Sequence, residues 1–282
     1  MSSTFFSTAT GPGSQPADDD GASLAYMEMP SGMMTYRAPL LPEPEEVAGI
    51  GAGLAVLDKV LALLERYERD EAANVVDLGH LDAASLKFVD QALGEGEVAV
   101  IGGATVQSQE SVLAGVWRAR TAGSDGVVAS DVIEVAAFPS TVSSVAFAGA
   151  RDHVKLPEAF GPGVFNAPPL FPEINDHIAG SDAARAPHVI NLSLLPHTEQ
   201  DLALLAQQLG QGWLKVLSRG YGNCRVSSTM TRNVWWVQFY NSQDALILNT
   251  IEITPIPEVV RAAPEDMSDS ASRLREILEV YR

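Results

Sequence analysis

The chain repeats itself. Val75-Val76-Asp77-Leu78 is matched by Val189-Ile190-Asn191-Leu192, and the stretch 86–96 by 202–212. Further on, Val116-Trp117 is matched by Val234-Trp235. Ile133-Glu134-Val135 with Pro139 is matched by Ile251-Glu252-Ile253 with Pro257. The offset drifts from 114 (192−78) to 116 (210−94) to 118 (235−117), as two short loop insertions would produce. A self-similarity of this period marks one supersecondary unit used twice. Residues present in both copies then read as scaffold. Residues present in one copy only are the better candidates for function.

Each copy reads β-α-β-β-β. The first strand falls at 74–78 or 188–194, and the helix at 83–93 or 198–209. Gly94 and Gly96, or Gly210 and Gly212, punctuate the helix C-terminus, where a left-handed residue is needed. The next strand is 97–101 or 213–218; a hairpin carries the tryptophan strand, and the Ile-Glu strand closes the unit. With one helix per several strands, the predicted class is α+β: two tandem pseudo-symmetric repeats with mixed or antiparallel sheets. An N-terminal helix is predicted over 45–70, where Val47, Ile50, Leu54, Leu57, Leu61 and Leu64 make one stripe. A C-terminal helix is predicted near 267–281, capped by Asp266 or Ser268. The expected organisation is an extended arm over 1–44, the first helix and repeat over 45–139, and a Pro/Gly-rich loop over 140–187. The second repeat spans 188–257 and the tail 258–282.

Net charge is −18. Such a chain repels phosphate backbones and anionic lipid surfaces, which makes both poor partners, and no run approaches the ~18 apolar residues of a membrane span, so membrane insertion is not expected. It favours a basic partner. One cysteine, Cys224, precludes an internal disulfide. The first Lys or Arg is Arg37, so a basic leader region is not expected. Both features point to a cytoplasmic protein.

No catalytic or metal constellation is predicted. No two of His80, His153, His177, His188 and His197 fall at helical ligand spacing from one another, and a single thiol builds no cysteine-rich metal motif. Gly49, Gly51 and Gly53 follow no strand and precede no P-loop lysine, so they do not make a nucleotide loop. The protein therefore reads as a non-enzyme without a cofactor.

The candidate contact residues are those without a twin. The turn Gly220-Tyr221-Gly222-Asn223-Cys224-Arg225 occurs in the second copy alone. Tyr221, Asn223 and Cys224 are its candidates, with Cys224 read either as an inert strand thiol or as a cluster contact. Trp236 stands where the first copy has Arg118, which makes it either a residue buried under the tail helix or an interface anchor. Phe165, Leu170 and Phe171 supply apolar contacts from the 140–187 loop, which reads as a lid or a binding loop. Met33 and Met34 lie in the methionine-rich arm, where adaptable thioethers suit docking. Trp117, Trp235, Glu134 and Glu252 are shared and read as scaffold.

At these residues the chain resembles the hydrogenase expression/formation proteins of the HupH/HyaF/HoxQ type. The resemblance lies in Leu93-Gly94-Glu95-Gly96-Glu97-Val98, the Gly220 to Arg225 turn, and Arg232-Asn233-Val234-Trp235. It continues in Ile256-Pro257-Glu258-Val259-Val260, leading to Ala262-Ala263-Pro264-Glu265-Asp266, and in the opening Gly11-Pro12-Gly13-Ser14-Gln15-Pro16. It implies an accessory role in maturing uptake nickel–iron (NiFe) hydrogenases. The implied partners are the iron–sulfur small-subunit precursor before its twin-arginine export, a thioredoxin-like accessory protein, and the large subunit. Two further roles belong to the same expectation: an iron–sulfur carrier for the small subunit, or a protector of the large subunit under oxygen. As a carrier, the chain could hold a cluster only across a homodimer or with non-thiol ligands.

Overall fold

The computed structural model describes residues 41–43, 49–67, 74–179, 186–219 and 223–282. The chain divides into two compact units, Met1–Thr35 and Tyr36–Arg282; the first lies outside the described residues, and the second is the α+β body.

The body is built on one ten-stranded antiparallel sheet. Its strands are β1 (Asn74–Asp77), β2 (Val98–Gly102), β3 (Val106–Glu110), β4 (Val116–Ala122), β5 (Val128–Val135), β6 (His188–Asn191), β7 (Gln211–Ser218), β8 (Asn223–Thr229), β9 (Val234–Tyr240) and β10 (Leu246–Ile253). The order across the sheet is β1-β5-β4-β3-β2-β7-β8-β9-β10-β6. Its middle is the β2·β7 seam, with Val100 opposite Val216. Each half has four strands after its helix, one more than the β-α-β-β-β reading. The added strands, β3 (VQSQE) and β8 (NCRVSST), are too polar to show a period-2 alternation.

Among the described residues six α-helices flank the sheet: α1 (Gly51–Glu65), α2 (Ala83–Leu93), α3 (Ser140–Ser143), α4 (Leu170–Ile178), α5 (Glu199–Leu209) and α6 (Pro264–Glu279). Helix α1 buries Val56, Leu57, Val60, Leu61 and Leu64, the three-and-four spacing of a single apolar stripe. Asp82 caps α2 by accepting from the Ala84 and Ser85 amides, both at 2.9 Å. Thr198 and Asp201 form a reciprocal capping box on α5. Both helices end on a glycine with positive φ, Gly94 (55°) and Gly210 (71°), as predicted. Helix α6 starts two to four residues before its predicted caps. Pro264 fits the first turn, where no amide donor is needed, and Ala263 rather than Asp266 or Ser268 takes the cap position.

Strand pairing fixes which side chains share a face, because successive residues alternate. On one face, α1, α2 and α6 pack over Val116, Ile133 and Val135. On the same face of the other half, α4 and α5 pack over Val234, Ile251 and Ile253. The tail helix thus serves the first half of the sheet. The opposite face buries Trp117 and Trp235 with Val142, Ala146 and Val260. Both tryptophans are fully buried, and each stands opposite a glutamate, Trp117 to Glu134 and Trp235 to Glu252. Each indole donates to a backbone carbonyl: Trp117 Nε1 to Ala136 at 2.9 Å, Trp235 Nε1 to Thr254 at 3.0 Å.

The segment 140–187, expected as a loop, contains α3 and α4. Glu134 starts α3: its carboxylate accepts from the Ser140 amide (2.7 Å), the Ser140 hydroxyl (2.8 Å) and the Thr141 amide (3.1 Å). Pro168 and Pro169 lead into α4, which buries Leu170, Phe171 and Ile174 at helical spacing.

Candidate functional site

The predicted contact residues do not form one site. Tyr221, Met33 and Met34 lie outside the described residues. Leu170 and Phe171 are 4% and 0% exposed; they belong to the core under α4 and present nothing to a partner in this conformation. Trp236 packs against the α4–α5 cluster, and its Nε1 donates to Asn249 Oδ1 at 2.5 Å. It is half-buried there, not beneath the tail helix. Asn223 begins β8 and donates from Nδ2 to Asp244 Oδ1 at 3.3 Å.

Cys224 is 5% exposed in the cluster that holds Trp117 and Trp235. Burial pushes its thiol up to about 12, and the nearby Glu252 carboxylate adds to the rise. The thiolate is the form that attacks and ligates, so this environment suppresses both. Arg225 points to the other face, 5.4 Å from the Tyr240 ring centroid.

Phe165 is different, being 70% exposed. The backbone that carries it is stitched to the start of α5. Amides of Phe165, Asn166 and Ala167 all donate to Asp201 Oδ1, at 2.8, 2.9 and 2.9 Å. Thr198 Oγ1 donates to the Gly163 carbonyl at 2.6 Å, and Asn166 Nδ2 to the Pro196 carbonyl at 2.8 Å. The other oxygen, Asp201 Oδ2, accepts from the Thr198 amide at 3.1 Å. Burial alone would raise the Asp201 carboxyl. The donated backbone hydrogen bonds outweigh it and bring the group down to about 2. The neighbouring loop turns two further apolar side chains outward, Leu194 (79% exposed) and Leu195 (47%).

A model of the "HupH hydrogenase expression protein, C-terminal conserved region" matches residues 50–153 and 164–281, most of this chain. The chain belongs to the hydrogenase expression/formation protein family. Within that family it is 47% identical to "Hydrogenase expression/formation protein HupH" of Rhodobacter capsulatus, over 96% of both chains. It is 42% identical to "Hydrogenase expression/formation protein HoxQ" of Cupriavidus necator, over 95% of this chain and 94% of that one. It is 33% identical to "Hydrogenase-1 operon protein HyaF" of Escherichia coli, over 99% and 97%. A solved structure, "Hydrogenase expression protein HupH from Thiobacillus denitrificans", aligns with 40% of this chain and 93% of its own at 32% identity and TM-score 0.36.

Among the described residues of this family member, no helix is long and apolar enough to cross a membrane, and no three His, Cys, Asp or Glu side chains are grouped to hold a metal ion. Sequence reasoning missed Leu194, Leu195 and Asp201. The signal was the offset itself, which moves from 114 to 116 between Leu192 and Gly210 and so marks an insertion in this loop.

A second buried carboxyl was also missed. Glu110, 9% exposed, lines a cavity of about 350 Å³ with Glu97, Arg261 and Asp266. Burial raises it to about 7; Glu97 and Asp266 push the same way, against one amide bond from Gly115 at 3.1 Å. A carboxyl raised in the fold stabilises below its unfolded value near 4.5, and that contribution is lost as pH climbs through about 7. Glu110→Gln is therefore expected to gain about 3 kcal/mol over wild type at pH 8 and almost nothing at pH 4. Urea unfolding at the two pH values measures this.

Proposed function

We propose that the protein is a cytoplasmic accessory chaperone for an uptake NiFe hydrogenase, and that it binds the immature iron–sulfur small subunit before that subunit joins the large subunit and is exported. The observation that carries the reading is the near full-length similarity to proteins named for hydrogenase expression and formation. The net charge of −18 supports it, because an acidic body attracts the basic leader of a twin-arginine precursor. A thioredoxin-like accessory protein completes the proposed complex.

We infer further that the body is a duplicated unit. The support is the strand order: β1-β5-β4-β3-β2 in one half has the connectivity of β6-β10-β9-β8-β7 in the other. The matching Trp–Glu pairs and glycine-capped helices support it too.

The test is direct. Purified small-subunit precursor, full-length and leaderless, is mixed with this protein and passed over a sizing column, with and without the thioredoxin-like protein. Co-elution of the full-length precursor is expected. Absence of co-elution under both conditions ends the proposal.

A further inference from the structure

We propose that Phe165, Leu194 and Leu195 form a docking surface for an apolar segment flanked by basic residues, carried by an incompletely folded partner polypeptide. The inference rests on the reading of this protein as a chaperone and names the surface it would use.

The two halves differ at the loop between first strand and helix. Between strand and helix, the first half runs from Leu78 to the cap Asp82, and the second from Leu192 to the cap Thr198. The second loop is two residues longer (198−192 against 82−78). In the short loop Leu81 folds back onto the core beside α2. In the long loop Leu194 and Leu195 are turned into solvent, at 79% and 47% exposure. Sheet, helix and cap form without the extra residues, so the insertion serves something other than the scaffold.

The surface is also preorganised. Phe165 comes from the segment that leads into α4, and it is fixed against this same loop. Three amides around it share one Asp201 oxygen, and Asn166 is bound to Pro196, next to Leu195. An exposed aromatic on a rigid backbone loses little entropy on binding. Exposed apolar side chains gathered on such a frame mark interaction surfaces rather than ordinary surface. The loop also contains His197, whose two ring nitrogens are buried without a hydrogen-bond partner. Such groups carry a free-energy cost.

The local sequence is also acidic. From Asp152 to Asp201 the sequence has seven acidic residues (152, 158, 173, 176, 182, 199, 201) and two basic ones (155, 185), a balance of −5. Glu158 and Glu199 are exposed. An apolar anchor in an acidic field selects an apolar segment with cationic flanks and rejects one with anionic flanks.

The experiment uses the full chain and a labelled peptide of Leu, Ala and Phe with an arginine pair at one end, followed by fluorescence anisotropy. A matched peptide with a glutamate pair and a wholly polar peptide are the controls. Binding of the arginine peptide alone is expected. It should weaken with added salt, and by at least about tenfold in the triple variant Phe165→Gln, Leu194→Gln, Leu195→Gln. Val128→Gln, at an exposed apolar residue in the other half of the sheet, should bind as wild type. All these positions are exposed, so the variants keep their fold, which circular dichroism and melting check. Equal affinity of wild type and triple variant overturns the inference, as does equal binding of all three peptides. A dimer that is seen by light scattering and dissociates in the triple variant overturns it in favour of a second copy as the occupant. Precursor that binds wild type and triple variant alike refutes this surface and leaves the chaperone reading standing. Precursor that binds neither, while the peptide does bind, refutes the chaperone reading alone.

Discussion

Trp117→Ala and Trp235→Ala are each expected to lower the unfolding free energy by about 3–5 kcal/mol, as large-to-small changes in a closed core do. Both side chains have zero exposure, so no solvent can fill the space they leave. Each is also held at its polar end by a backbone carbonyl, which loses its donor in the variant. Their aromatic neighbours differ: Trp117 meets Phe138 edge-on at 5.8 Å, and Trp235 meets Phe147 at 5.0 Å. The shorter contact places Trp235→Ala at the upper end of the range. Trp236→Ala is expected to cost about 1–2 kcal/mol, because its side chain lies at the margin of the α4–α5 cluster and keeps contact with water. Equilibrium urea unfolding of the three variants measures this, with a common m-value as the check on two-state behaviour. Equal losses for Trp235→Ala and Trp236→Ala would contradict the assignment of the first to scaffold and the second to a cluster margin.

That ordering shows what was legible in the sequence. Trp117 and Trp235 were recognisable as scaffold because each follows a valine at the matched position of the sequence repeat. The helices were recognisable where a single apolar stripe met a glycine stop, as in α2 and α5. Short-range chemistry blurred the edges. The second copy's first strand was expected to reach residue 194. It ends at Asn191, whose side chain accepts the Ser193 amide at 2.9 Å and turns the chain. Read as strand, Leu194 would have alternated into the core. As part of a turn it stands in solvent. Leu170 and Phe171 fail in the opposite sense. A run of prolines and apolar residues suggested a lid or a binding loop, but the same prolines sit before a helix that buries both side chains. The 163–167 segment shows no period at all, since a contact 34 residues away in sequence, from Ala167 to Asp201, decides its course.

That contact is Asp201, and its loss is the second large effect. Asp201→Ala removes the common acceptor of the Phe165, Asn166 and Ala167 amides, the last of them buried; about 3–5 kcal/mol is expected to go with it. Asp201→Asn keeps one carbonyl oxygen in place and should cost about half as much, since hydrogen bonds to a charged acceptor are roughly twice as strong as neutral ones. The pH dependence separates charge from shape. The carboxyl sits at about 2 in the fold and near 3.9 when unfolded. Its contribution is complete above pH 4 and is lost as pH falls through 2, so wild type and Asp201→Asn should converge in stability over that window. Asp201 lies beneath Phe165 and acts by positioning it. Amide hydrogen exchange over 163–167 should rise in both variants, more in Asp201→Ala. Peptide binding at the Phe165–Leu194–Leu195 surface should weaken in the same order, although no surface atom has changed. Faster exchange with undiminished binding would mean that the clasp serves the fold alone.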